Sequence, residues 1–314
     1  MRDTSGALGV LAGMLGTGGA PDSPAPKPNC VVLLGPTAAG KTALAVRLAR
    51  SLGAEIISAD SRQVYRGLDL GSGKDLAEYA ARGSECAVPY HVIDVASLDA
   101  EYCVYNFLQD AYRAFDGITA RGRLPLVVGG SGMYLDALLR DYGFPKGGGE
   151  LAARRAREKA AAGTEPEAQR GREKTNGGQW YSRPRIAPLI LGTMFPRGEL
   201  RERIAERLRA RFRQGMLAET ERLHESGASW ERLERLGLEY RFAARFLQGK
   251  IESRDELFRL LCLAIGQFAK RQETWFRGIA HKGFSISWLP PPADGCDGRF
   301  ERALELICRA LRLS

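Results

Sequence analysis

Nowhere in the 314-residue chain do apolar residues approach the roughly 18 in a row that a membrane-spanning helix needs, so no transmembrane segment is expected. Ala7 to Leu15 is weakly apolar, but Gly9 and Gly13 interrupt it and Arg2 and Asp3 precede it, a poor pattern for a signal peptide. Cysteine is sparse. The six (Cys30, Cys86, Cys103, Cys262, Cys296 and Cys308) are far apart and form no CxxC pair. That argues against a zinc ribbon or a disulfide framework and leaves reduced thiols in a cytoplasm as the expectation. Histidine is scarcer still, and His91, His224 and His281 are too scattered to suggest a metal centre. No internal repeat is visible.

What is present is an excess of positive charge. Lys and Arg outnumber Asp and Glu by 46 to 37, a net charge of +9, which favours a polyanionic partner such as nucleic acid. With 44% hydrophobic and 26% charged residues the composition is that of an ordinary globular chain, long enough for one large domain or two modest ones.

The Gly-, Ala- and Pro-rich tract ending at Pro28 reads as a disordered leader over 1–28. Val31 to Leu34 is a short apolar run ending at Gly35, suited to a buried parallel strand, and Leu44, Leu48 and Leu52 then mark a helix. Glu55 to Ser58, Tyr90 to Ile93, Leu124 to Val128 and Pro188 to Leu191 predict further strands, the last of these closing the sheet. Val104, Phe107, Leu108, Ala111, Phe115 and Ile118 lie on one face of a helix between them. Strands alternating with helices imply an α/β fold, a parallel sheet with helices on both faces. Residues 29–145 would form this core and 146–187 a reduced basic insertion, partly helical near Leu151 to Ala162 but mostly weakly ordered. Residues 188–285 would add the last strand and a C-terminal helical portion, and 286–314 a tail with a short helix. In the helical portion Leu200, Ile204, Leu208 and Phe212 share a face, with Glu199 and Arg203 spaced for an i,i+4 ion pair. The capping box Ser253-Arg254-Asp255-Glu256 opens a long helix that should run to about Arg277.

Gly35-Pro36-Thr37-Ala38-Ala39-Gly40-Lys41-Thr42 matches GxxxxGK[ST] between a predicted strand and helix, the context a phosphate-binding P-loop requires. Backbone N–H groups and the helix N-terminus would cradle phosphates, Lys41 would supply a cation, and the Thr42 hydroxyl could ligate Mg²⁺. A P-loop specifies a diphosphate or triphosphate without saying which. NTP hydrolysis usually needs a carboxylate at the end of a second apolar strand to hold Mg²⁺. The run LPLVV ends instead in Gly129-Gly130-Ser131-Gly132, which leaves Asp94, after YHVI, as the candidate for such an acid. Asp60, in Ser58-Ala59-Asp60-Ser61-Arg62-Gln63, follows the second strand and should face the P-loop across the carboxyl end of the sheet. There it could take a proton, bind a nucleobase amine, hold Mg²⁺, or merely cap a helix.

GPTAAGKT, ISADSRQVYRGLDLGSGK, PYHVIDV, GRLPLVVGGSGMY and the C-terminal KRQETWFR, in that order, resemble the motifs of the tRNA dimethylallyltransferase (tRNA isopentenyltransferase) family over about residues 30–145 and 188–285. The resemblance implies transfer of a dimethylallyl group from dimethylallyl diphosphate to the exocyclic amine of the adenosine 3′ of the anticodon. It implies that Asp60 is the general base and that Thr37 and the rest of the P-loop contact the donor diphosphate. Arg241, in Gly237-Leu238-Glu239-Tyr240-Arg241, resembles an arginine that also binds the diphosphate. Asp60, Ser61, Arg62 and Gln63 resemble a tRNA-contacting stretch. Lys270 and Arg271 stand either as phosphate contacts or as a solvated face, and Trp275 and Phe276 read as core. The implied cofactor is Mg²⁺, and the implied partners are the donor and a tRNA anticodon stem-loop, met by a cytoplasmic monomer. One departure is the middle of the chain: Gln169-Arg170-Gly171-Arg172 and Arg183-Pro184-Arg185 lack the apolar spacing of the family's arginine-rich helical insertion. The alternatives are a P-loop kinase or NTPase using Asp94, a non-catalytic RNA-binding relative, or prenylation of free adenine nucleotides.

Overall fold

The computed structural model describes residues 27–80, 86–142, 183–291 and 298–312. Nearly all of the expected leader and of the insertion, and Cys296, lie outside these residues.

The segment CVVLL forms β1 (Cys30–Leu34), with every residue fully buried. Its side chains alternate between two cores: Cys30, Val32 and Leu34 face one, Val31 and Leu33 the other. A strand covered on both faces has no polar side to alternate with, which is why it reads as an unbroken apolar run. Behind it follow α1 (Lys41–Leu52), β2 (Glu55–Ala59), β3 (Tyr90–His91), α2 (Val104–Ala120), β4 (Pro125–Gly129), α3 (Gly132–Leu139) and β5 (Pro188–Thr193). Then come α4 (Arg197–Gln214), α5 (Met216–Glu225), α6 (Trp230–Arg235), α7 (Leu238–Leu247), α8 (Arg254–His281), β6 (Ile286–Leu289) and α9 (Arg299–Leu311). Ser253 caps α8 by accepting from the Glu256 amide at 3.1 Å, as its capping box predicts. Among the described residues no helix is long and apolar enough to cross a membrane, and no disulfide joins the cysteines.

The six strands lie in the order β3-β2-β4-β1-β5-β6, and all the pairings are parallel. One face is covered by α1 and α9, which bury Leu44, Leu48, Ile307 and Leu311. The other carries α2, α3 and the end of α8 through Phe107, Leu135, Phe276 and Ile279. A third cluster joins α4 to α8 through Leu200, Leu208, Leu261 and Ile265 and supports Ala39 of the P-loop from behind.

Three expectations change. Pro188 to Leu191 is not the last strand, because Ile286–Leu289, read as part of a tail, pairs in parallel with β5. An edge strand with Ser287 and only one buried residue carries little apolar signal. The third strand stops at His91 because Val92 and Asp94 adopt φ of 63° and 56°, which no extended strand allows. Arg203 does not pair with Glu199; its Nε donates to the Ala38 carbonyl at 3.1 Å and its guanidinium lies over Phe195.

Candidate active site

At the carboxyl end of the sheet, β1 leads through α1 to β2 on one side, past β4, while β5 lies on the other. Loops leaving adjacent strands in opposite directions open a crevice, the usual ligand position in such sheets. Here it is a cavity of about 350 Å³, lined by Thr37, Lys41 and Thr42 of the P-loop and by Asp60 to Gln63 opposite. Gly35 must be glycine, since a Cβ would collide with Thr193 Oγ1 at the end of β5. Gly40 turns the loop into α1 with φ of 71° in the left-handed region. Pro36, Ala38 and Ala39 frame the loop without lining the cavity.

The loop is held by arginines. Arg203 reaches the Ala38 carbonyl, and Arg299, only 5% exposed at the start of α9, donates to the Ala39 carbonyl at 3.1 Å. Arg207 lines the cavity itself, donating to Thr37 Oγ1 at 3.3 Å and approaching Asp75 at 3.7 Å. The Lys41 ammonium folds back onto the Pro36 carbonyl at 2.6 Å. Burial, then repulsion from Arg207, lowers its pKa to about 8 despite the attraction of Asp60. Across the cavity Asp60 Oδ1 accepts from the Arg62 amide at 2.9 Å, while Oδ2 makes no hydrogen bond among the described residues. The Ser61 amide donates to Ser131 Oγ at 2.9 Å, locking the end of β2 to the loop after β4. The arrangement sets an anion cradle opposite a carboxylate with a free oxygen.

A family model of the IPP transferases matches residues 63–172 and 154–279, and one of the isopentenyl transferases matches residues 28–83. The chain belongs to the IPP transferase family. Over 84% of its length it is 48% identical to a tRNA dimethylallyltransferase 2 from Treponema denticola, 96% of which is covered. A tRNA dimethylallyltransferase 2 from Trichlorobacter lovleyi is 44% identical over 86% of this chain and 94% of the relative. The crystal structure of a tRNA isopentenylpyrophosphate transferase from Bacillus halodurans superposes with a TM-score of 0.69 at 26% identity, covering 91% of this chain and 97% of the other.

Four of the five motifs supply residues to this one crevice, and PYHVIDV does not. Arg241 and Arg271 line it, and Arg241 also donates from Nε to the Glu234 carbonyl at 2.9 Å. Lys270, by contrast, is exposed on α8 outside both cavities. Gln63 is engaged internally, accepting from Ser58 Oγ at 2.8 Å and donating to the Gly73 carbonyl at 3.0 Å. Phe276 is core, but Trp275 is only partly buried and walls a second cavity of about 530 Å³. That cavity is lined by Tyr65, Tyr102 and Tyr134 and by several arginines, and it shares Ser61, Arg62, Ser131, Arg241 and Gln272 with the first.

Asp94 does not serve as the second-strand acid. Its carboxylate pairs with the ammonium of Lys74, 1% exposed, which also meets Asp69 at 2.8 Å and the Tyr65 carbonyl at 2.8 Å, and Asp94 lines neither cavity. Sequence reasoning missed Arg207, Arg299, Gln272 and Glu239. Glu239 lines the first cavity, where burial raises its carboxyl pKa above the usual range while Arg207 and Arg211 pull the other way.

Proposed function

We propose that this IPP transferase moves a dimethylallyl group from dimethylallyl diphosphate to the exocyclic amine of the adenosine 3′ of the anticodon in tRNA. The observation that carries the reading is the pairing of a P-loop with Asp60 across one cavity, with Asp94 withdrawn into its ion pair with Lys74. The names of the relatives agree with it. In the reaction the bond from the allylic carbon to the diphosphate oxygen breaks and its electrons leave with the diphosphate. The adenine nitrogen forms the new bond to that carbon, and its proton passes to the carboxylate of Asp60. Negative charge growing on the leaving group is met by the N-terminal amides of α1, by Arg207 and Arg241, and by Lys41 once its ammonium turns from the Pro36 carbonyl to the phosphates. Asp60 turns a poorly nucleophilic amine into a competent one only when it lies within hydrogen-bond reach of its proton. The base must leave its stack to enter, and a single-stranded loop makes that inexpensive.

Mg²⁺ fits the residues present. The Thr42 hydroxyl and the carboxylates of Asp60 and Glu239 line the cavity, and Thr42 with one of these acids would bind the ion together with the donor's phosphates, as hard oxygen ligands do. Bound there, it would neutralise charge on the diphosphate. Every residue given a role here comes from one chain, and the enzyme is read as a monomer that meets tRNA in the cytoplasm.

The test is mass spectrometry of tRNA nucleosides after incubation with protein and dimethylallyl diphosphate, expecting one adenosine carrying a dimethylallyl group. Calorimetric titration should show the donor bound in preference to ATP; preference for ATP would return the kinase reading. Arg62, Arg235, Arg241 and Arg271 on the second cavity are disposed to meet phosphates, whereas Arg232 is tied to Leu98, Ala100 and Glu101. The logarithm of tRNA affinity should therefore fall linearly with that of salt concentration, by about 0.7–0.9 per phosphate neutralised, while donor affinity falls less steeply. A flat tRNA response would mean that the net positive charge does not serve RNA binding.

A further inference from the structure

Gln272 lies in the middle of α8 and is 5% exposed, in the wall of both cavities. A buried amide is unfavourable unless both ends are paired, and here both are. Its Oε1 accepts from the Thr37 amide at 2.8 Å and its Nε2 donates to the Gly130 carbonyl at 2.8 Å. Those partners belong to the two loops that leave β1 and β4, strands still in register at Leu34 and Gly129. Just beyond that pair the chains separate, and backbone can no longer bond to backbone across the gap. The side-chain amide of Gln272, using its oxygen and one of its two N–H groups as a peptide group would, supplies the next rung. Gly130 admits it, since a Cβ there would collide with Nε2.

We infer that Gln272 is a positioning residue that fixes the phosphate-binding loop relative to the loop bearing Ser131, and so sets the separation between donor phosphates and general base. On one side it holds Thr37, whose hydroxyl meets Arg207 in the cavity. On the other it holds the segment in which Ser131 fastens Ser61, the neighbour of Asp60. Displacement at carbon needs nucleophile and leaving group in line, and an error of about 1 Å can lower the rate by about 10²-fold. The inference rests on the proposed prenyl transfer.

Two variants of the full chain test it. In Gln272→Met, similar in length but without hydrogen bonds, kcat should fall by at least about tenfold while KM for donor and tRNA stays within about threefold. In Gln272→Glu, the ionised carboxylate still accepts from Thr37 but faces the Gly130 carbonyl with a second acceptor; protonated, it restores both hydrogen bonds. The ratio of its activity to that of the native protein should therefore rise by about fivefold or more from pH 8 to pH 6. Lys41, Asp60, Arg62, Arg207, Glu239, Arg241 and Arg271, the charged groups lining the same cavity, are common to both proteins, so the ratio isolates what the added carboxyl contributes. Native kcat in the Met variant, or a ratio independent of pH, would overturn the inference. An inactive native protein would sink the transferase reading instead. Inorganic pyrophosphate titrations then decide the role of Gln272 without turnover, since the affinity of the Glu variant relative to native must also recover at low pH, and a flat relative affinity overturns it.

Discussion

Asp60→Asn should lower kcat by about 10²–10⁴-fold, the scale of a positioned general base, while donor affinity barely changes. The substitution is unusually clean here. Oδ1 of Asp60 is occupied by the Arg62 amide at 2.9 Å, and an asparagine oxygen can accept that same bond, so the turn after β2 keeps its shape. What changes is the second oxygen, the one without a partner among the described residues. An NH₂ group in its place presents two donors to an amine that needs an acceptor for its proton. Loss of rate with an intact donor site is the signature, read by steady-state kinetics beside a donor titration. A variant with nearly native kcat would reduce Asp60 to a residue that shapes a turn.

The parts of this molecule that were legible in the sequence are those where one physical constraint acts alone. β1 and β4 are buried on both faces and therefore run apolar without a break, and the P-loop needs glycine where Thr193 crowds Gly35 and where Gly40 takes a left-handed φ. The parts that were not legible depend on tertiary partners. Ile286–Leu289 becomes a strand because the edge of β5 is free to receive it. The arginines of α4 look alike in composition, yet Arg203 and Arg207 grip the P-loop and Arg211, 6% exposed, meets Asp75 at 3.0 Å. A signal was present: these three recur every four residues, one position before the apolar face of Ile204 and Leu208, so they border the buried side of the helix. Arg299 and Gln272 carried no such signal. Nothing local says that a residue near the end of the chain will reach Ala39, or that the glutamine of KRQETWFR bridges two loops more than 100 residues away.

Lys41→Ala should weaken donor binding and turnover together, because the ammonium meets the diphosphate both before and during departure. Removing one preorganised charged donor from such a site typically costs about 10²–10³-fold in rate. The pH dependence separates this role from simple packing. Burial and Arg207 hold the Lys41 pKa at about 8, against an ordinary 10.5. Between those values the unfolded chain binds more protons than the native one, so the contribution of Lys41 to native stability rises with pH from about 8 to about 10.5 and is constant below. Donor binding must run the other way. The charge of a diphosphate favours the ammonium, raising its pKa in the complex, so above about pH 8 binding takes up a proton and affinity falls as pH rises. Calorimetry at pH 8.5 in buffers of different ionisation enthalpy should detect that proton in the native protein and not in Lys41→Ala. Equal proton uptake by the two proteins, or an affinity that climbs with pH in the native one, would show that Lys41 stays folded on the Pro36 carbonyl and never engages the donor.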